Sequence, residues 1–226
     1  MNVMGFEAQI MPQHDDVNAG LKLSDRATLS LLAVLEDDGH ATQRGLAARI
    51  GVALGLTNTL LKRAVRKGLV KVKDVPAKRF AYYVTPKGFS EKSRLVADYL
   101  SSSLSFFRQA REEYTDVCQL AVDRGHKRIA LYGAGELAEI AMLSAQGVGA
   151  ELTGLVQVGS NQSHFSSLPV FTTIEAALAS DVDAVVITAT DAPQAAYDHL
   201  IKHIGADRVF AAPMLHISRN GSGGRG

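Results

Sequence analysis

The chain has 226 residues, 46% hydrophobic and 21% charged, with a formal net charge of +1 and one cysteine. This is a soluble globular composition with room for two ordinary domains, and a lone Cys118 excludes an internal disulfide. No apolar run approaches the roughly 20 residues a bilayer span needs, and the N-terminus lacks the basic start and apolar block of a secretory signal. A cytoplasmic, reducing location with no membrane partner is expected.

Residues 1–20 read as a loosely ordered arm. A first helix is expected over residues 25–37, capped by Ser24, with Leu29, Leu32, Ala33 and Leu35 on its apolar side. Thr42 then caps a short helix to Ile50, whose inward residues are Leu46, Ala47 and Ile50. After a tight turn at Gly51 and Val52, a third helix spans residues 53–67 and ends at Gly68. Thr57, Leu60, Leu61, Ala64 and Val65 fall on its inner side by helical spacing. Two short β-rich segments, 69–73 and 80–85, flank a turn at residues 75–79 and read as a hairpin.

Helix, helix, turn, helix, hairpin is the order of an α+β winged helix-turn-helix, expected over residues 21–88. In that geometry the outer face of the third helix is free to enter a major groove, so double-stranded DNA is the expected partner. The charge pattern agrees. Lys62, Arg63, Arg66, Lys67, Lys71, Lys73, Lys78, Arg79 and Lys87 crowd one stretch opposed only by Asp74, whereas the last third is mildly acidic. Asn58, Thr59, Lys62, Arg63 and Arg66 fall on that outer face; Asn58 and Lys62 are candidates for base edges; Arg63, Arg66 and Lys67 suit phosphates; Lys78 and Arg79 at the wing tip suit an adjacent phosphate or minor groove. A purely protein-binding use of the same domain is the bland alternative.

The segment TQRGLAARIGVALGLTNTLLKRAVRKGLVKV, followed by AYYVTPKG, resembles the MarR-like regulators associated with exopolysaccharide gene clusters, over about residues 24–100. The shared pieces are Leu54, Gly55 and Asn58 at the opening of the third helix, KGLVK from Lys67, and TPKG from Thr85. The resemblance implies a transcriptional regulator with Asn58 and Lys62 as its main base readers. The chain departs from the pattern at Ala53, where the family tends to carry a capping Ser, and at Leu56, where it tends to carry a basic residue. A missing cap costs about 1 kcal/mol.

A long helix follows the Pro86-Lys87-Gly88 segment, over residues 90–124, as a linker of residues 89–125. Leu100, Phe107, Tyr114 and Ala121 recur every seven residues, with Val96, Ala110 and Val117 between them, so a coiled-coil-like seam and a homodimer are expected. Ser103 interrupts the seam, and packing within the same chain is the alternative.

From His126 strands and helices alternate, which predicts an α/β Rossmann-like parallel sheet over residues 126–215 and a flexible tail over 216–226. Strands are expected at 128–132, 152–158, 169–171, 184–188 and 209–210, with helices to about 146, at 173–180 and at 193–204. Gly133, Gly135 and Ala138 form a degenerate glycine fingerprint leaving a strand and opening a helix. Gly133 permits the turn, Gly135 lets a phosphate approach, and Ala138 allows close packing. A dinucleotide site normally ends its second strand on an acid; Gln157 stands there, and Glu136 would repel a pyrophosphate, so NAD is disfavoured. Thr188, Thr190, Asp191 and Gln194 are expected to converge on the same crevice. LYGAGELAEIA and LPVF resemble the small Rossmann-like domains of nucleotide-sugar and polysaccharide-biosynthesis proteins, including the N-terminal parts of sugar acetyltransferases. That resemblance implies a nucleotide or nucleotide sugar as effector at Gly133, Gly135, Glu136, Gln157, Thr188 and Asp191. A ligand-free oligomerisation scaffold is the alternative.

Cys118 reads as a packed thiol, and His199 with His203 as solvated residues rather than a metal pair. No acid–base or nucleophile constellation emerges. A regulator that is not an enzyme is therefore the leading reading. Its rivals are a nucleotide-sugar-modifying or NAD-dependent enzyme with an accessory winged helix, and a non-catalytic interaction protein.

Overall fold

The first elements among the described residues are three helices: α1 (Leu23–Asp37), α2 (Gln43–Ile50) and α3 (Leu54–Arg66). The structure is a computed structural model that describes residues 23–75 and 79–219, so the expected arm at 1–20 lies outside the described residues. Because α1 already begins at Leu23, Ser24 is not its cap; the Ser24 hydroxyl donates to Asp25 and its carbonyl accepts from Thr28. The buried stripe of α1 is Leu31, Leu32 and Leu35, with Leu29 and Ala33 only half-buried. Leucines at 29, 31, 32 and 35 allow two overlapping stripes, and packing on α2 and α3 selects the one that includes Leu31. Thr42 does cap α2, its hydroxyl accepting the Gly45 N–H at 3.1 Å.

Thr57, Leu60, Leu61 and Ala64 of α3 are buried as the spacing predicts, but Val65 is 37% exposed. It lies on the flank of the helix, beyond the reach of the core formed by Leu31, Leu35, Leu46, Leu60, Leu61 and Tyr82. Strands β1 (Val70–Val75) and β2 (Arg79–Val84) pair antiparallel in a register running from Val70 opposite Val84 to Val75 opposite Arg79. The Tyr82 N–H donates to the Gly39 carbonyl at 2.7 Å, which pins the hairpin to the turn between α1 and α2.

Helix α4 runs from Pro86 to Asp123, four residues earlier than expected at its start. Proline fits the first turn of a helix, where its missing N–H has no partner to lose, and the Thr85 hydroxyl accepts the Gly88 N–H at 3.1 Å. The chain divides into two units between Phe106 and Phe107, inside this helix. The expected seam divides with it. In the second unit Ala110, Tyr114, Val117 and Ala121 are fully or almost fully buried, whereas Val96 and Leu100 are 38% and 53% exposed. The later seam residues therefore pack within their own unit rather than along one continuous stripe.

The second unit contains β3 (Arg128–Tyr132), α5 (Glu136–Ala145), β4 (Glu151–Val156), β5 (His164–Phe165), β6 (Leu168–Phe171), α6 (Ile174–Leu178), β7 (Ala184–Ile187), α7 (Pro193–Ile204) and β8 (Val209–Ala211). Its sheet has the order β5-β6-β4-β3-β7-β8. Pairs β3–β4, β3–β7, β4–β6 and β7–β8 are parallel, and the short β5, unanticipated from sequence, adds an antiparallel edge. Chain order thus proceeds from β3 to one side and returns to the other side at β7. The crevice between the C-terminal ends of β3 and β7 is a topological switch point, the position where open α/β sheets take ligands. Among the described residues no helix is long and apolar enough to cross a membrane.

Candidate nucleic-acid interface and sheet crevice

Since Thr57, Leu60, Leu61 and Ala64 face inward, the 3.6-residue period directs Gly55, Thr59, Lys62 and Arg66 to the opposite side. All four are exposed. Arg63 and Lys67 are exposed as well, and no acidic side chain among the described residues pairs with Lys62, Arg63 or Arg66. Asn58 sits differently. It is half-buried on the flank shared with Val65, and its Oδ1 is buried without a hydrogen-bond partner. A buried acceptor left unsatisfied is costly. The Thr59 hydroxyl donates back to the Gly55 carbonyl at 2.9 Å instead of projecting.

Lys71 and Lys73 extend the cationic surface along β1. Lys78 lies outside the described residues, and Arg79 is placed at the first position of β2. Between α3 and the hairpin lies a groove of about 350 Å³ that the sequence did not indicate. Leu61, Val65, Val72, Phe80 and Tyr82 give it an apolar lining, and Lys62 and Arg66 border it with charge. Val72 and Phe80 share the hairpin face of the buried Val70 and Tyr82, and continue that face past the core to the groove.

In the second unit the glycine segment sits at the switch point as expected. Gly133 has φ +102°, and a Cβ there would come within 2.6 Å of the Ala189 backbone, so only glycine fits. Ala138 is fully buried, giving α5 its close approach to the sheet. The loop is also internally bonded. Gly133 N–H donates to the Val156 carbonyl at 3.0 Å, and Ala134 N–H donates to Gln157 Oε1 at 2.7 Å. Thr188, almost fully buried, donates its hydroxyl to the Gly133 carbonyl at 2.5 Å and lies 3.1 Å from that of Tyr132. Gln157 and Thr188 thus hold the loop's shape. Glu136 is exposed in the first turn of α5, where a carboxylate complements the helix dipole. Gly135 and the exposed Asp191 complete the expected set.

Gln194 does not join this group. Its amide is taken by Asp198 at 2.9 Å and by Ser218, which it meets through both its N–H and its carbonyl. Those bonds and the packing of Ile217 on the core keep the chain ordered past residue 215, where a flexible tail was expected; residues 220–226 lie outside the described residues. A cavity of about 240 Å³ opens beyond β8, lined by Ala211, Ala212, Pro213, His216, Ile217 and Arg219, and none of the expected site residues borders it. Cys118 is fully buried, and burial pushes its thiol pKa up to about 11. His199 and His203 are exposed, with His203 Nε2 3.8 Å from Glu175.

The helix order, the free outer face of α3 and the hairpin beside it define the first unit as a winged helix-turn-helix. Residues 24–71 match the family model described as winged helix-turn-helix DNA-binding. No curated protein sequence matches the chain. Among solved structures, the chain is similar to a MarR family transcription regulator (24% identity, 39% of this chain and 58% of that one, TM-score 0.33). It is also similar to PcaV of Streptomyces coelicolor, crystallised with its natural ligand (20%, 39% and 62%, 0.34). A third is MepR of Staphylococcus aureus in complex with DNA (19%, 39% and 64%, 0.33). The chain therefore spans 58–64% of the length of these regulators.

Proposed function

We propose that this protein is a transcriptional regulator of the MarR-like kind, without enzymatic activity, that binds double-stranded DNA as a homodimer through α3 and the wing. The observation that carries the reading is the outer face of α3, where Lys62, Arg63 and Arg66 stand exposed without acidic partners in a winged helix-turn-helix. Phosphates satisfy such cations, and the half-buried Asn58 stands on the flank beside them. Val96 and Leu100, exposed on the first half of α4, supply apolar surface for the second copy.

The test is fluorescence anisotropy across a salt series, with DNA from upstream of the protein's own gene cluster against a scrambled duplex. Tighter binding to the native fragment is expected, with the salt slope reduced by about one in each of Lys62→Ala and Arg66→Ala. Equal and weak binding to both duplexes overturns the reading.

The second unit is proposed as a Rossmann-like sensor for a nucleotide or nucleotide sugar at Gly133, Gly135, Glu136, Gln157, Thr188 and Asp191, with polysaccharide-related genes as the regulated set. Support comes from the switch-point placement of the glycine loop and the resemblance of its flanking segments. Gln157 must release the Ala134 N–H before that amide can meet a phosphate. A ligand that binds two states of the protein unequally then shifts DNA affinity. Unchanged DNA affinity across a panel of nucleotides and nucleotide sugars overturns the sensor proposal and leaves DNA binding standing.

A further inference from the structure

Among the described residues of the winged-helix unit, Gly55 is the one glycine that the fold itself does not explain. Gly39 and Gly88 are required because a Cβ would meet the Tyr82 and Leu69 carbonyl oxygens at 2.5 and 2.2 Å. Gly51 and Gly68 have φ of +73° and +72°, and a Cβ on Gly45 would press to 3.3 Å on the Thr42 hydroxyl that caps α2. Gly55 is the second residue of helix α3, is absent from the positive-φ positions, and a Cβ built there meets nothing within 4 Å. Glycine in a helix weakens it relative to alanine. The fold thus bears a penalty at Gly55 with no return inside the described residues.

The surroundings of Gly55 show what the space is for. It is at the N-terminal end of the same outer face that carries Lys62 and Arg66 further along. Thr59, the next residue on that face, folds its hydroxyl back onto the Gly55 carbonyl, so that face carries no side chain at Gly55 and a short one with its hydroxyl already bonded at Thr59. Leu54 and Leu56 flank it, 42% and 46% exposed, and Ala53 before it makes no side-chain cap. The face is therefore low and apolar at its N-terminal end and high and cationic at its C-terminal end. A helix entering a major groove N-terminus first needs this profile: bare backbone and apolar side chains against base edges and thymine methyls, long cations reaching outward to phosphates.

We propose that Gly55 is the point of closest approach between α3 and the DNA duplex, kept free of a side chain so that the helix can seat deeply in the major groove. The inference rests on the DNA-binding reading above and adds a residue-level determinant to it. It makes an opposed pair of predictions for Gly55→Ala. Alanine raises the folding equilibrium constant about two- to fivefold, because the backbone is already helical and the unfolded chain loses freedom. The same methyl group lowers affinity for cognate DNA about fivefold to a hundredfold, the range for forcing a methyl into a close-packed contact.

The experiment takes the full-length chain and a duplex selected by the wild type from a random library, and measures Kd and thermal midpoint for wild type, Gly55→Ala and Gly55→Met. A higher midpoint for Gly55→Ala with weaker binding, and weaker binding still for Gly55→Met, is the expected result. Undiminished DNA affinity in Gly55→Ala overturns the inference while leaving the DNA-binding reading intact. A lower midpoint also overturns it, since the fold itself would then require the glycine. Failure of the wild type to enrich any duplex sinks the underlying reading instead.

Discussion

Replacing Gly133 by alanine should unfold the second unit selectively. Two effects add at this position. A φ of +102° disfavours any L-residue by about 1–2 kcal/mol. The new Cβ also meets Ala189 Cα and Cβ at 2.6 Å and its N at 2.7 Å, backbone that cannot retreat because Ala189 N–H is bonded to the Tyr132 carbonyl at 2.9 Å. Overpacking of that kind costs about 1–3 kcal/mol, giving a total of about 2–5 kcal/mol. Gly135→Ala is the internal control. Its φ of +141° and ψ of −170° lie in a glycine region, but a Cβ there meets nothing within 4 Å, so only the backbone cost of about 1–3 kcal/mol applies. The chain lacks tryptophan, and two units can unfold in separate transitions, so urea denaturation should be followed by hydrogen exchange with segment resolution. Exchange should accelerate in β3, β4 and β7 and stay unchanged in α1–α3. The reasoning is refuted if Gly133→Ala is no more destabilising than Gly135→Ala.

Two further predictions concern the buried face of α4. The Tyr114 hydroxyl donates to the Ile187 carbonyl at 2.9 Å, and burial, with Glu113 and Cys118 adding to it, raises the phenol pKa so that the proton stays in place. Tyr114→Phe keeps the ring and strands the carbonyl, so urea unfolding of the second unit should show a loss of about 1–3 kcal/mol; an unchanged midpoint would refute the bond. For Cys118, a disulfide reagent at pH 8 should leave the native chain unmodified and titrate one thiol after denaturation. The folded thiol is held neutral to about 11 while an unfolded one ionises near about 8.5, so its contribution is complete below the lower value and disappears as pH rises through the upper one. Cys118→Ala should flatten that part of the alkaline stability profile, and an identical profile would count against burial as the cause.

The local elements were written plainly into the chain. Thr42 capping α2, the inward set Thr57, Leu60, Leu61 and Ala64, and the switch from helical to alternating periods at Leu69 and again at His126 all depend on residues close together in sequence. A glycine at 133 was likewise legible from the strand-to-helix turn, although the clash that forbids a side chain there comes from Ala189, far along the chain. Where the reading slipped, the missing information was spatial. Pro86 opens α4 rather than preceding it, and the Thr85 hydroxyl that caps the helix is itself held by the distant Gly68 carbonyl at 2.7 Å. The heptad of α4 looks continuous from Leu100 to Ala121, yet it is buried only from Ala110 onward, where residues distant in sequence, such as Ile187 of β7 and Ser144 of α5, meet the helix.

The candidate sites show the same division. Cationic character on α3 follows from sequence spacing alone, since helical period sends Lys62 and Arg66 to one side. The groove between α3 and the hairpin depends on how β1 and β2 fold back against the helix, and the depth of Asn58 and the open space over Gly55 depend on what the folded unit covers and leaves bare. Likewise Gln157 was visible as the residue standing where an acid was expected, but its bond to Ala134 required β3 and β4 to lie side by side. By itself the sequence determined the kind and order of elements and which faces carry charge, because those follow from near-neighbour sterics and periodicity. Only the tertiary structure decided which polar groups are already satisfied and which surfaces stay open, because hydrogen-bond partners and excluded volume are supplied by residues far apart along the chain.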